Sequence, residues 1–263
     1  MVGVARDLAR RTGRRLGALH ELSEPVALAA HIDRHGIELL VNRNSEPAML
    51  DALPPFRGIH VIRDPRDLVV SAYYSHRNSH RVDDGWPALS AHRARLRTLD
   101  LSGGLLAELE FSEPVLAAID AWDYDRPELL ELRLEDLFED SHRTTVRVAR
   151  HLGVVDDDAT GPLAALADRL VQPLLAARAR GAPVPMGPWR TTPAAVGAIA
   201  RARSFEAVTG RRPGDADANA HQRKGQAGDW REHFGPEHRG RFAERWGDLL
   251  VRLGYEPDDS WAR

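Results

Sequence analysis

The chain has 263 residues, a formal net charge of −3 at pH 7 and no cysteine. The absence of cysteine excludes disulfides and thiolate metal sites. The charge excludes a nucleic-acid-binding domain with a face-wide basic excess, and no apolar run reaches the roughly 20 residues of a membrane span. We therefore expect a cytoplasmic protein that binds no nucleic acid, has no membrane span and folds as one domain over residues 1–263.

The first predicted element is an amphipathic helix with apolar positions at Val4 and Leu8, followed by "TGRRLG". Short apolar runs at 37–42, 58–63 and 127–134 are bounded by turn signals and predict buried parallel strands. Helical patterns follow the second and third runs, at 65–76 and 135–153, and a helix over "HFGPEHRGRFAERWGDLLVRLGYE" closes the chain. Strands that alternate with helices predict an α/β fold, with a central, mostly parallel sheet flanked by helices in three layers.

Two segments interrupt this alternation. Residues 77–111 and 180–222 are rich in glycine, proline and charged residues. Such segments are typical of long loops or small helical caps over a site. We therefore expect them to cover a binding site.

A charged turn separates the strand at 58–63 from the helix that follows it. In "VIRDPRDLVVSAYYSH", Arg63 ends the strand, Pro65 suits the first turn of the helix, and Ser71 lies about two turns further on. Ligands of open α/β sheets bind at the carboxyl ends of the strands, close to helix amino ends. Arg63 and Ser71 are therefore candidates to hold one phosphate, the first by a charged fork and the second by a neutral hydroxyl.

The aspartates of this turn have ordinary roles available. Asp64 is predicted to cap the helix, and Asp67 to orient an arginine. The alternative for the whole segment is a strand-to-helix turn whose charges are simply solvated.

Two motifs resemble those of sulfotransferases. "RDPRDLVVSAYYSH" is similar to the segment in which an arginine and a serine, eight residues apart, bind the 3′-phosphate of 3′-phosphoadenosine 5′-phosphosulfate (PAPS). "RKGQAGDWREHF" is similar to the family's Arg-Lys-Gly and Gly-Asp-Trp segment. The resemblance implies that Arg63, Ser71, Arg223, Lys224 and Gly225 bind the nucleotide. It also gives a reason for Lys224, which is the only lysine of the sequence.

The resemblance implies the fold and the activity of that family. The fold is the P-loop NTPase-like fold of sulfotransferases. The activity is transfer of a sulfuryl group from PAPS, the co-substrate, to a hydroxyl or amine of a small-molecule or carbohydrate acceptor, without a metal. On this resemblance, the segments at 77–111 and 180–222 would form the acceptor's pocket. Neither the acceptor's identity nor the oligomeric state follows from the sequence.

One family motif has no counterpart in this sequence. Sulfotransferases use a loop of the type "PKSGTTW" to bind the 5′-phosphosulfate, and nothing here matches it. We therefore expect an N-terminally truncated chain that begins at the helix after that loop. The alternative is a catalytically impaired, nucleotide-binding homologue that has lost the loop.

The catalytic base is not identified by the sequence. The family commonly places a histidine just after the second strand, where "VNRNSEP" stands here. Arg43 in this segment is a candidate to stabilise charge on the transferring group. The candidates for a base, by residue type only, are His20, His31, His76 and His80.

Two histidine pairs have the spacing of metal ligands on a helix. They are His31 with His35 in "HIDRH" and His76 with His80 in "HRNSH". Neither pair is followed by the glutamate of a zinc hydrolase, and no third ligand is indicated. The sequence therefore predicts no metal site.

Overall fold

The structure is a computed structural model that describes residues 1–19, 25–42, 47–81, 86–220 and 223–263. It is an α/β structure in which helices dominate and the sheets are small. The strands are β1 Leu16–Leu19, β2 Leu39–Asn42, β3 Gly58–Ile62 and β4 Leu129–Arg133. The first helices are α1 Val2–Thr12, α2 Pro25–His35, α3 Pro47–Asp51, α4 Pro65–Tyr74, α5 Pro87–Thr98, α6 Leu101–Phe111 and α7 Glu113–Asp120. They are followed by α8 Leu134–Glu139, α9 Ser141–His151, α10 Gly161–Leu170, α11 Gln172–Ala179, α12 Pro193–Ala202, α13 Phe205–Thr209, α14 Trp230–His233 and α15 Pro236–Arg252.

The strands form two small sheets within the described residues. Strand β1 pairs in parallel with β2, with Leu16 opposite Leu39 and Leu19 opposite Asn42, and β3 pairs with β4. The predicted strands at 37–42, 58–63 and 127–134 are thus confirmed as strands, with slightly shorter bounds. They were expected to be buried, but most of their residues are half-buried, because each of these two small sheets leaves part of its strands accessible. The three-layer arrangement and the truncated start stay predictions.

Strand β1 was not predicted from the sequence. Helix α1 ends at Thr12, where Gly13 adopts a left-handed conformation with φ 71° and its N–H bonds to the carbonyl of Ala9. The chain then re-enters as a strand at Leu16. A run of only four residues, "LGAL", has too few alternations to signal a strand by itself.

The helical pattern at 135–153 is divided into two helices. Asp140 has an extended backbone, with φ −144°, and its side chain accepts a hydrogen bond from the backbone N–H of Arg143. It is therefore the N-cap of α9 and separates it from α8. Helix α4 likewise ends earlier than expected, at Tyr74, and continues as a short π-helical segment, Ser75–Ser79.

Most of the first cap segment, 77–111, is helical rather than irregular, whereas the second, 180–222, is helical over less than half of its length. Helices α5 and α6 occupy much of 77–111, and α12 and α13 lie within 180–222. Their place over an acceptor pocket stays a prediction.

The chain divides into two compact units. The first comprises Met1–His60, Asp123–Leu132 and Glu139–Val208. Its core joins α1, α9 and α12 through buried Val4, Leu8, Val146, Ala149, Val154, Val155 and Val196. The single-domain interpretation stays a prediction.

The second unit comprises Val61–Trp122, Arg133–Phe138 and Thr209–Arg263. Helices α4 and α15 both pack on α6. Val69, Val70, Leu105, Phe242 and Leu250 are at most 1 % exposed and form much of its interior. Both motifs that resemble sulfotransferases lie in this unit. None of the helices in the described ranges is long and apolar enough to cross a membrane.

Replacing glycine by alanine is expected to have opposite effects on stability at two positions. Gly153 follows α9 with φ 66°, whereas Gly240 lies inside α15 with open space around the position of a Cβ. We expect Gly153→Ala to lower the free energy of unfolding by about 1 kcal/mol, because alanine disfavours the left-handed region. Gly240→Ala is expected to raise it by about 0.5 kcal/mol, because it restricts the unfolded chain. Urea unfolding of both variants checks the two signs, and a loss at both positions would contradict the prediction for Gly240.

Candidate functional site

The candidate site begins where β3 becomes α4. Asp64 caps α4 by accepting a hydrogen bond from the backbone N–H of Arg66 at 2.9 Å, and Pro65 stands in the first turn. The predicted capping by Asp64 and the predicted place of Pro65 in the first turn are therefore confirmed. Arg63 precedes the cap at the carboxyl end of β3, and its Nε is buried without a hydrogen-bond partner.

Arg66 has a structural role that sequence reasoning missed. Its side chain is 1 % exposed, and its guanidinium donates to the Asp64 carboxylate at 3.0 and 2.8 Å. It also forms an ion pair with Glu256. The guanidinium lies 3.7 Å from the centre of the Trp230 ring and 4.6 Å from that of Trp261. Of the two arginines in "RDPRD", Arg66 thus has its guanidinium occupied by side chains of the protein.

Asp67 joins the two motifs. Its side chain is fully buried, and its carboxylate accepts hydrogen bonds from the backbone N–H groups of Gly228 at 2.7 Å and Trp230 at 2.8 Å. Burial raises the pKa of Asp67, while the positive charge of Arg63 and the two N–H donors oppose that rise. The described hydrogen bonds of Asp67 therefore hold a turn of the second motif, whereas we had expected it to orient an arginine.

One face of α4 is directed at the second motif. Asp67, Ser71 and Tyr74 follow the i, i+4, i+7 spacing that places side chains on one helical face. Asp67 contacts the turn at Gly228, and Tyr74 lies under the guanidinium of Arg223, 4.5 Å from the ring centre. Ser71, which is half-buried, stands between these two contacts on the same face.

The second motif is bound together by ion pairs. Arg223 pairs with Asp229, whose side chain is 1 % exposed. Lys224 Nζ donates to Asp229 at 2.7 Å and to Glu232 at 2.8 Å. Gly225 has φ 62°, a left-handed conformation that favours glycine and explains the third residue of the motif. The lysine is thus held in place by two carboxylates.

Arg63 and Arg223 are electrostatically coupled. Burial lowers the pKa of Arg223, and the positive charge of Arg63 lowers it further, against the opposing effects of Tyr74, Asp67 and Glu232. An anion placed near both guanidinium groups would offset the repulsion between their positive charges. Arg63, with its unpartnered Nε, and Arg223 therefore form the part of the site best suited to a phosphate.

His233 is a site residue that sequence reasoning missed. Its Nε2 lies 3.0 Å from the Tyr74 hydroxyl, and its Nδ1 lies 2.9 Å from the backbone oxygen of Asp229. Burial and then the charge of Arg223 lower its pKa, so the neutral imidazole is favoured. His233 lies four residues after Asp229 within the second motif, and this position could have identified it as a site residue from the sequence.

The site residues predicted from the sequence fall into two groups. Arg63, Ser71, Arg223, Lys224 and Gly225 all lie in the second unit, at β3, α4 and the segment before α14. Their role in binding nucleotide stays a prediction. Arg43 and His20 lie outside the described residues.

Comparisons with known proteins found a similarity among solved structures. No family model matches the chain, and no curated protein matches it. Among solved structures, the chain is similar to mouse sulfotransferase SULT7A1 complexed with PAP, with 14% sequence identity and a TM-score of 0.40. The likeness covers 94% of this chain and 89% of that one.

Proposed function

We propose that this chain binds PAPS through its 3′-phosphate and transfers the sulfuryl group to a hydroxyl or amine of a small-molecule or carbohydrate acceptor. The observation that carries the proposal is the pair Arg63 and Arg223, which lie in two separate motifs and act on each other electrostatically. The Nε of Arg63 is buried and unpartnered. Arg223 already pairs with Asp229, so a phosphate bound there would chiefly supply the acceptor atom that Arg63 Nε lacks, together with negative charge beside both guanidinium groups.

Each remaining residue of the site has a defined part in this proposal. Arg63 provides a charged fork, and Ser71 provides a neutral hydroxyl from the same face of α4 that meets the second motif. Gly225 allows the left-handed turn that sets the backbone after Lys224. Lys224, held by Asp229 and Glu232, contributes positive charge at the edge of the site.

The transfer itself is an in-line displacement at sulfur. A bond forms between the acceptor oxygen or nitrogen and sulfur, while the bond from sulfur to the 5′-phosphate oxygen breaks. The electron pair of that bond leaves with 3′-phosphoadenosine 5′-phosphate (PAP), and the acceptor proton passes to a base. Arg43 is the residue that we propose for stabilising charge on the transferring group.

A second candidate function is nucleotide binding without transfer. It is favoured by one observation, that nothing in the sequence matches the "PKSGTTW" loop that binds the 5′-phosphosulfate. Both candidates require the same 3′-phosphate site. Only the first requires that PAPS be consumed.

A calorimetric titration with PAP, run beside adenosine 5′-phosphate, tests the shared part of both candidates. We expect the nucleotide that lacks the 3′-phosphate to bind at least about tenfold more weakly, because it loses charged hydrogen bonds worth about 1.5–3 kcal/mol. Equal affinities for the two nucleotides would contradict the proposed site. PAPS turnover, followed as release of PAP in the presence of phenol, amine and sugar acceptors, then separates transfer from binding alone.

A further inference from the structure

Three side chains with metal-binding atoms meet in the second unit, and none of them is among the residues proposed to bind the nucleotide. They are His76 in the π-helical segment Ser75–Ser79, His92 on α5 and Glu108 on α6. His76 Nδ1 lies 2.9 Å from Glu108 Oε1, and His92 Nε2 lies 2.8 Å from Glu108 Oε2. The three ligating atoms all lie within 4.8 Å of one another.

The charge of Glu108 points to a cation. Its side chain is fully buried, and its described contacts are the two imidazoles and the Ser112 hydroxyl, which donates to Oε1 at 3.0 Å. A buried carboxylate is strongly disfavoured unless an opposite charge accompanies it. A divalent cation would supply that charge and would bind the carboxylate together with the two imidazole nitrogens that lie beside it.

The imidazoles are held in orientation by aromatic neighbours. The His92 ring stacks on Phe111, with centroids 3.9 Å apart and planes 4° apart. The His76 ring meets Phe111 and Trp86 edge-on, with centroid distances of 5.5 and 5.3 Å. Rings fixed in this way turn their nitrogens toward the carboxylate before any ion binds, which lowers the entropic cost of binding.

The backbone at His76 is unusual as well. His80 N–H bonds to the Ser75 carbonyl at 2.7 Å, closing an i to i+5 turn. π-Helical turns are rare, and they occur frequently at functional sites. Here the wider turn carries His76, the most exposed of the three ligands, with 12% of its side chain accessible.

We infer that His76, His92 and Glu108 form a binding site for a divalent transition-metal ion of the zinc class. Two imidazole nitrogens and a carboxylate are a ligand set that zinc accepts. The ion would tie the segment after α4 to α5 and α6. The sequence interpretation rejected a metal at "HRNSH" for want of a third ligand, and tertiary structure brings His92 and Glu108 to His76 from positions that sequence spacing does not connect.

The test is a Zn²⁺ titration of the whole chain, purified without a histidine tag and treated with a chelator. We expect one bound ion in the wild type, and binding weakened at least about 100-fold in His76→Gln/His92→Gln, since even partners of metal ligands typically change affinity 10- to 100-fold. The matched control is His31→Gln/His35→Gln on α2, a histidine pair whose rings lie 4.5 Å apart. This control is expected to bind Zn²⁺ as the wild type does.

A second measurement keeps the inference testable if the double variant does not fold. Hydrogen exchange at the C2 carbon of histidine, read by mass spectrometry, follows individual imidazoles in the wild type. Zn²⁺ is expected to slow exchange at His76 and His92 and to leave His31 unchanged. The inference is overturned by unchanged exchange at His76 and His92 in millimolar Zn²⁺, or by full Zn²⁺ affinity in a folded His76→Gln/His92→Gln variant.

Discussion

Arg66→Ala is expected to lower the free energy of unfolding by about 3–5 kcal/mol, the usual cost of removing one partner of a buried ion pair. The guanidinium is 1 % exposed and pairs with Asp64 and Glu256, whose side chains are 8 and 13% exposed. Removing it leaves two carboxylates near each other with little water. The variant also loses the contact with the faces of Trp230 and Trp261.

Urea unfolding followed by circular dichroism measures this effect. The matched control is Arg95→Ala, whose ion pair with Glu110 is more than half exposed on both sides and is expected to contribute about 0–1 kcal/mol. A double-mutant cycle of Arg66→Ala with Glu256→Gln measures the coupling between those two residues. A loss at Arg66 no larger than that at Arg95 would show that the buried network adds no net stability.

Arg63→Ala is expected to weaken PAP binding by about ten- to a hundredfold, which corresponds to a charged hydrogen-bonded contact of about 1.5–3 kcal/mol. Its effect on stability is expected to be small or favourable, in contrast to Arg66. The substitution removes a guanidinium with an unpartnered, buried Nε and relieves the repulsion with Arg223. Of the two arginines in this motif, Arg63 is thus expected to affect nucleotide affinity and Arg66 to affect stability.

Three variants make this comparison sharp in a calorimetric titration. Arg63→Lys keeps the charge but loses the planar fork, so an intermediate affinity is expected. Ser71→Ala removes only a neutral donor and is expected to cost about 0.5–1.5 kcal/mol. Arg95→Ala is the control with unchanged affinity. Wild-type affinity in a folded Arg63→Ala variant would refute the assignment of Arg63 to the phosphate.

The parts of the fold that the sequence predicts well are those with strong local signals. Strands β2, β3 and β4 are apolar runs between turn residues, and Asp64 with Pro65 is a standard helix start. Strand β1 was missed because its four residues are specified by pairing with β2, which is a tertiary contact. The division between α8 and α9 depends on one capping aspartate inside a continuous helical pattern.

The sequence predicts which residues form the candidate site, and the structure adds contacts between the two motifs that the sequence could not show. The spacing of Arg63 and Ser71 identified the charged turn, yet spacing could not show that Asp67 binds the turn at Gly228 or that Arg66 is enclosed by tryptophan rings. Such contacts depend on how distant segments pack. For the same reason, the pairing of His92 with Glu108 was invisible in a segment expected to be a cap.

The hydrogen bonds of Asp67 to Gly228 and Trp230 also have a kinetic consequence. They join residues 161 and 163 positions apart in the chain, so they close a very long loop. Contacts between residues so far apart in the sequence offset the entropy cost of closing the loop only after the intervening chain has become compact. We therefore expect the two halves of the candidate site to come together late in folding, after the segment around Gly228 has left the ribosome. Affinity for the nucleotide would then arise at the end of folding, as a property of the completed chain.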